Sequence, residues 1–165
     1  MSIAIPYYTT FTEFLLISIP CQIVMSYIPH ILKLIGCCFL KSNYDNANPR
    51  LYMASLENEA LIGNEVAQFV LRCHACTLNC LEDLLIYAAA PFAILLFSEN
   101  KLLGFILAWI HLGLRLLYIV LYCFVARQCL SYLRSIVFWL AWACPMIMLF
   151  ETAHNIGARK SWRIA

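Results

Sequence analysis

The sequence predicts an all-α protein, a bundle of four transmembrane helices, on three observations. Of the 165 residues 64% are hydrophobic and 12% charged, where a soluble domain carries about half and about a quarter. The mean hydropathy is +0.80. The apolar residues also gather into four runs of about 20 or more, the length that crosses a hydrocarbon core. The expected product is a multi-pass integral membrane protein whose first partner is membrane lipid. A net charge of +2, scattered along the chain, offers no footprint for nucleic acid.

The first span is expected at about residues 11–40. Pro20 and Pro29 stand inside it as kink sites, since each removes a backbone donor and crowds the preceding turn. Lys33, near its end, has the reach to snorkel to the interface. No basic n-region or small-residue cleavage site precedes this run, so it reads as retained rather than as a signal peptide. The polar segment KSNYDNANPRLYMASLENE follows. Asn48-Pro49 marks a turn, and Met53 to Leu61 suit a short surface helix.

The second span is placed at about 65–98. Ser98-Glu99-Asn100 is too short to be anything but a turn, which makes spans two and three antiparallel neighbours. The third span is placed at 101–125, a tight turn at 126–130, and the fourth span at 131–152. A basic tail with Arg159, Lys160 and Arg163 suits anionic headgroups. Lys41, Arg50 and Arg127 flank the opposite side, so positive charge does not assign an orientation. No repeat or second domain interrupts residues 1–165.

Seven of the nine cysteines lie in apolar runs, where a thiol packs as a small hydrophobe. Cys73, Cys76 and Cys80 form a stripe at helical spacing, for which a redox or metal role is the alternative to packing. Thr77, not histidine, follows Cys76, so the haem-attachment pattern is absent. His74 has Leu78 at i+4 and lacks a second ligand there. No metal is expected.

The second span carries Arg72, His74, Asn79, Glu82 and Asp83, and ionisable groups at membrane depth usually face a bundle interior or mark a site. At about 100° per residue, Arg72, Asn79 and Asp83 share one narrow face with Glu82 at its edge. On the third span His111, Arg115, Tyr118 and Tyr122 share a face, though that span offers no carboxylate to pair with His111 or Arg115. Arg134 opens the fourth span. In an up-down bundle Arg72, Tyr122 and Arg134 all lie toward the 1–2 and 3–4 loops. Three arginines against two carboxylates leave positive charge for an anionic ligand, held by paired charge-assisted hydrogen bonds. The alternative is that Arg72, Glu82, Asp83 and Arg115 simply pair within the bundle.

Two stretches carry a family resemblance. Arg72-Cys73, Cys76, Asn79 and Glu82, followed by LLIYAAA, resemble the second-helix pattern R-A-x-x-A-x-x-N-x-x-E of the MAPEG family, the membrane-associated proteins in eicosanoid and glutathione metabolism, and of its bacterial-type members above all. RLLYIVLY (Arg115 to Tyr122) and then Leu133-Arg134-Ser135 resemble R-x-x-Y-x-x-x-Y, a loop, and L-R-S. The resemblance implies a homotrimer with glutathione, as co-substrate, in a cleft between subunits. Arg72, Asn79, Glu82, Arg115 and Tyr122 match positions that line or brace that cleft, with Tyr118 on the same face. Arg134 matches the catalytic arginine that stabilises the glutathione thiolate. The implied activity is that of a transferase or peroxidase acting on lipophilic substrates.

The chain also departs from the family pattern. Ala75-Cys76-Thr77 stands where conjugating members carry R-A-H, and Phe138 where some carry a tyrosine. The connection from Tyr122 to Arg134 is longer than the pattern. These differences fit a second expectation, a non-catalytic accessory subunit of a larger membrane complex such as an energy-transducing assembly.

Overall fold

A computed structural model describes residues 5–40, 44–45, 47–126 and 131–161, with only the backbone of 5–9 and 159–161. Lys41, Arg127, Arg159, Lys160 and Arg163, together with most of the expected turn at 126–130, lie outside the described side chains. The described residues form five helices: α1 (Ile5–Cys38), α2 (Pro49–Leu61), α3 (Glu65–Phe97), α4 (Lys101–Phe124) and α5 (Ser131–Ser161). Four of them are long and apolar enough to cross a membrane, over Thr10–Cys38, Glu65–Phe97, Lys101–Phe124 and Ser131–Ala158.

Local chemistry sets the helix ends. Asp45 accepts hydrogen bonds from the backbone N–H of Ala47 (2.8 Å) and Asn48 (3.1 Å) and from the Asn48 side chain (3.1 Å). Those bonds, the Asn48 side chain's first, hold its carboxyl below the usual range. Pro49 then opens α2, at the one helical position where a missing N–H costs nothing. Gly63, at φ 98°, turns the chain in the left-handed region that side chains avoid. Asn64 accepts from Val66 and Ala67 N–H to cap α3. Asn100 caps α4 through Leu103 N–H. Lys101 reaches back to the Ile94 and Leu95 carbonyls in the last turn of α3, the favourable place for a cation.

The helix α3 packs against each of the other four, and α3 and α4 together lie between α1 and α5. Small residues set the spacing. A Cβ added at Gly36 would come 2.7 Å from Val70 Cγ2, and one at Gly104 2.7 Å from Ile94 Cγ2. The two glycines thus let α1 and α4 approach α3 more closely than any side chain would permit.

The buried face of α1 is unusually polar, carrying Ser18, Gln22, Ser26 and Lys33. Its counterpart is Asp83, half-way along α3. The Asp83 carboxylate pairs with Arg115 Nη2 of α4 through one oxygen. Its other oxygen accepts from Gln22 Nε2 of α1 at 3.1 Å and lies 3.2 Å from His111 Nε2. On the far side of the imidazole, Nδ1 lies 2.9 Å from the Ala141 carbonyl of α5. The ring itself stacks on Tyr87 at 4.2 Å. His111 and Arg115, which have no carboxylate on their own helix, therefore share one from α3, and all four spans meet at this point.

Removing one partner of a buried pair strands the other charge, which costs about 3–5 kcal/mol. Asp83→Ala should therefore lose about that much stability, read as thermal unfolding in detergent. Asp83→Leu combined with Arg115→Met should lose less than Asp83→Ala alone.

Candidate functional site

At the end of the bundle where α3 and α5 begin and α4 finishes, three helices leave an opening. Its deeper part is a cleft of about 330 Å³ walled by Asn79, Tyr118 and Phe138. The part nearer the loops is a cleft of about 630 Å³ that includes Gln68, Arg72 and Ala126. Tyr122, Ser131 and Arg134 line both, so the two are one continuous groove.

Asn79, Arg134 and Arg72 are each held in the groove by a neighbour. Asn79 Nδ2 donates to the Tyr118 hydroxyl at 2.9 Å, linking α3 to α4. Arg134 Nη2 donates to Ser131 Oγ at 2.7 Å, one turn back on α5. The guanidinium of Arg134 also lies 4.6 Å above the Tyr122 ring, a cation–π contact. Arg72 Nε donates to the Cys123 carbonyl at 3.3 Å, near the end of α4. Arg72 and Arg134 therefore face one groove from α3 and α5. No carboxylate stands among its described lining residues.

The other residues singled out in the sequence divide differently. Tyr118 is almost wholly buried and gives its hydroxyl to the deeper wall. Arg115 is fully buried and lies behind that wall, its guanidinium 5.0 Å from the Phe138 ring and 5.5 Å from the Tyr118 ring. Asp83 already neutralises it, so it supports the groove rather than lining it. Glu82 is exposed on the outer surface of α3 and lies outside both parts of the groove. Helical geometry separates it from Asp83, because adjacent side chains point about 100° apart.

Sequence reasoning missed Ser131, Ser135, Trp139 and Gln68 in the lining. The signal for Ser131 was its place three residues before Arg134, on the same helix face. Gln68 stands one turn before Arg72 in the same way.

The model of the MAPEG family matches residues 14–154. This chain belongs to the MAPEG family. The match takes in all of the groove residues from Gln68 to Trp139 and the Asp83–Arg115 pair. No curated protein and no solved structure matches the chain. Among the described residues of this MAPEG protein no group of histidine, cysteine, aspartate and glutamate is arranged to hold a metal ion.

The bond from Asn79 to Tyr118 is half-buried and neutral, a type worth about 1 kcal/mol. Asn79→Ala and Tyr118→Phe should each destabilise the protein by about that amount. The double variant should be little worse than either, a coupling that a double-mutant cycle in detergent measures.

Proposed function

We propose that the groove binds glutathione and that the protein is a glutathione-dependent transferase or peroxidase for lipophilic substrates. The observation that carries this reading is the pair Arg72 and Arg134, which line one groove free of carboxylates among its described residues. Glutathione brings two carboxylates and a thiol. A guanidinium binds a carboxylate by two parallel hydrogen bonds, and Arg72, beside Gln68, is the group for that task. Arg134, fixed by Ser131 and the Tyr122 ring, is the group for the sulfur.

The chemistry follows from charge. A free thiol titrates near 8.5, and a neighbouring cation raises its thiolate fraction at neutral pH. The thiolate then displaces a leaving group or adds to an electrophilic carbon, forming a thioether. With a lipid hydroperoxide it attacks the O–O bond, giving an alcohol and a sulfenic acid, and a second glutathione converts the latter to disulfide and water. Polar co-substrate enters from the loop side and apolar substrate from the bilayer.

Asn79 and Arg115 brace this site by holding Tyr118 and the deeper wall. Glu82 supports a trimer of the kind the family forms. It sits half-way along α3 on the outer surface, where an ionised group facing lipid costs about 3 kcal/mol. Against a neighbouring subunit it meets polar groups and completes that subunit's cleft, a placement that fits bacterial-type members. A second reading rests on Phe138, which puts a ring without a hydroxyl in the groove: a non-catalytic subunit of a larger membrane complex.

Calorimetry of the purified protein in detergent tests this. Wild type should bind glutathione at or below millimolar concentration. Arg134→Ala and Arg72→Ala should each weaken binding about 10- to 100-fold, the worth of a charged hydrogen bond. Silence at millimolar glutathione overturns the proposal and leaves the non-catalytic reading.

A further inference from the structure

One flank of the bundle, where α1 packs on α3, gathers basic groups with no acid to match them. Two contacts set the register of these antiparallel helices. Ser26 Oγ lies 3.4 Å from the Cys80 carbonyl, and Gly36 packs on the Val70 side chain. Lys33 stands one turn before Gly36 and His74 one turn after Val70, so the two come to one level. His30, three residues before Lys33, shares its face of α1. Lys33 is only 7% exposed, and both histidines are half-buried.

The ion pairs found among the described residues both belong to Asp83, and there Lys33 makes neither an ion pair nor a hydrogen bond. The nearest carboxylates on α3 are Glu65 and Glu82, each about 12 Å or more along the axis from His74. On α1 the described acid is Glu13, near the opposite end. On α2, which packs at the Cys37 end of this flank, Glu59 is taken by Asn64 and Glu57 is exposed. An ammonium so far out of water costs several kcal/mol unless an opposite charge meets it. Protein groups on this flank do not supply one.

Height in the membrane says where the missing anion comes from. The α1 span, Thr10–Cys38, has its midpoint at Val24. Lys33 is nine residues further, about 14 Å at 1.5 Å each, which is the edge of a hydrocarbon core about 30 Å thick. Phospholipid phosphates begin at that height, and basic pockets between transmembrane helices hold such head groups. Toward the bilayer centre from His30, α1 exposes Ile23 and Tyr27, an apolar bed beside the basic groups.

We propose that Lys33, His30 and His74 form a site between α1 and α3 for the phosphate of an anionic phospholipid, with its acyl chains on Ile23 and Tyr27. Lys33 supplies the charge, and its flexible stem carries the ammonium outward to the phosphate. Each imidazole donates an N–H to a phosphate oxygen, as either the neutral or the charged ring can. His74 lies about 160° round α3 from Arg72, so this site is separate from the groove and stands or falls apart from the function proposed above.

The test uses the full-length protein in neutral detergent, titrated with dioleoyl phosphatidylglycerol or dioleoyl phosphatidylcholine and read by native mass spectrometry. The two lipids share a phosphodiester and acyl chains and differ in net charge. Wild type should hold one phosphatidylglycerol per chain, about fivefold or more tighter than phosphatidylcholine. Lys33→Gln should abolish that preference and Lys33→Arg should keep it. His30→Gln combined with His74→Gln should weaken phosphatidylglycerol about fivefold. Arg50→Gln, at an exposed cation on α2, should change nothing. Equal retention of the two lipids by wild type overturns the proposal, as does a loss in Arg50→Gln as large as that in Lys33→Gln. Displacement of the lipid by millimolar glycerol 3-phosphate also overturns it, because a soluble phosphate would then suffice. Should Lys33→Gln fail to fold, the wild-type comparison of the two lipids decides alone.

Discussion

The pairing of Asp83 with Arg115 constrains everything else in this bundle. Each group costs several kcal/mol to bring out of water alone, and together they are tolerable only in close register. That requirement fixes the axial position of α4 against α3. Gln22 then sets the height of α1, and the imidazole of His111, between the carboxylate and the Ala141 carbonyl, sets that of α5. Apolar packing between helices in lipid does not select one height over another so sharply, because the tails are as apolar as the side chains.

The same pairing decides the charge of the groove. With Arg115 matched to Asp83, and Glu82 turned outward, Arg72 and Arg134 are the guanidiniums that face the opening. They differ in support. Arg134 is held by a hydroxyl and an aromatic ring on two helices, and Arg72 by one backbone carbonyl. In the proposed function the better-held of the two, Arg134, is the one given to the sulfur, where a fixed cation serves better than a mobile one.

Much of the architecture was legible in the sequence because long apolar runs leave few alternatives. The four spans follow from hydropathy, and the meeting of Arg72, Tyr122 and Arg134 follows from alternating helix direction. The ion pair was not legible in the same way. Helical spacing put Asp83 on the face of Arg72 and Asn79 with Glu82 at its edge, yet the family resemblance gave Glu82 the place in the cleft, and neither named the partner of Asp83. The shared face of His111, Arg115, Tyr118 and Tyr122 also concealed a division of labour by depth. The first two reach Asp83 at mid-membrane, and the last two reach the groove near the end of α4. The helix of the fourth span, α5, continues to Ser161, past the end expected near Thr152, because loss of apolarity ends a span without ending the backbone ladder. Asn155, bonded to Ser98 Oγ and to the Glu151 carbonyl, carries it through that change.

That extension gives α5 a mechanical character. Its 31 residues amount to about 46 Å at 1.5 Å each, against a hydrocarbon thickness of about 30 Å. Asn155 bonds to Ser98 on the α3–α4 turn, so the last residues of α5 run on beyond that turn at the end away from the groove. A rod couples its two ends where a flexible tail would not. One helix, interrupted in its ladder only by Pro145, thus joins the end beyond the α3–α4 turn to Arg134 at the groove.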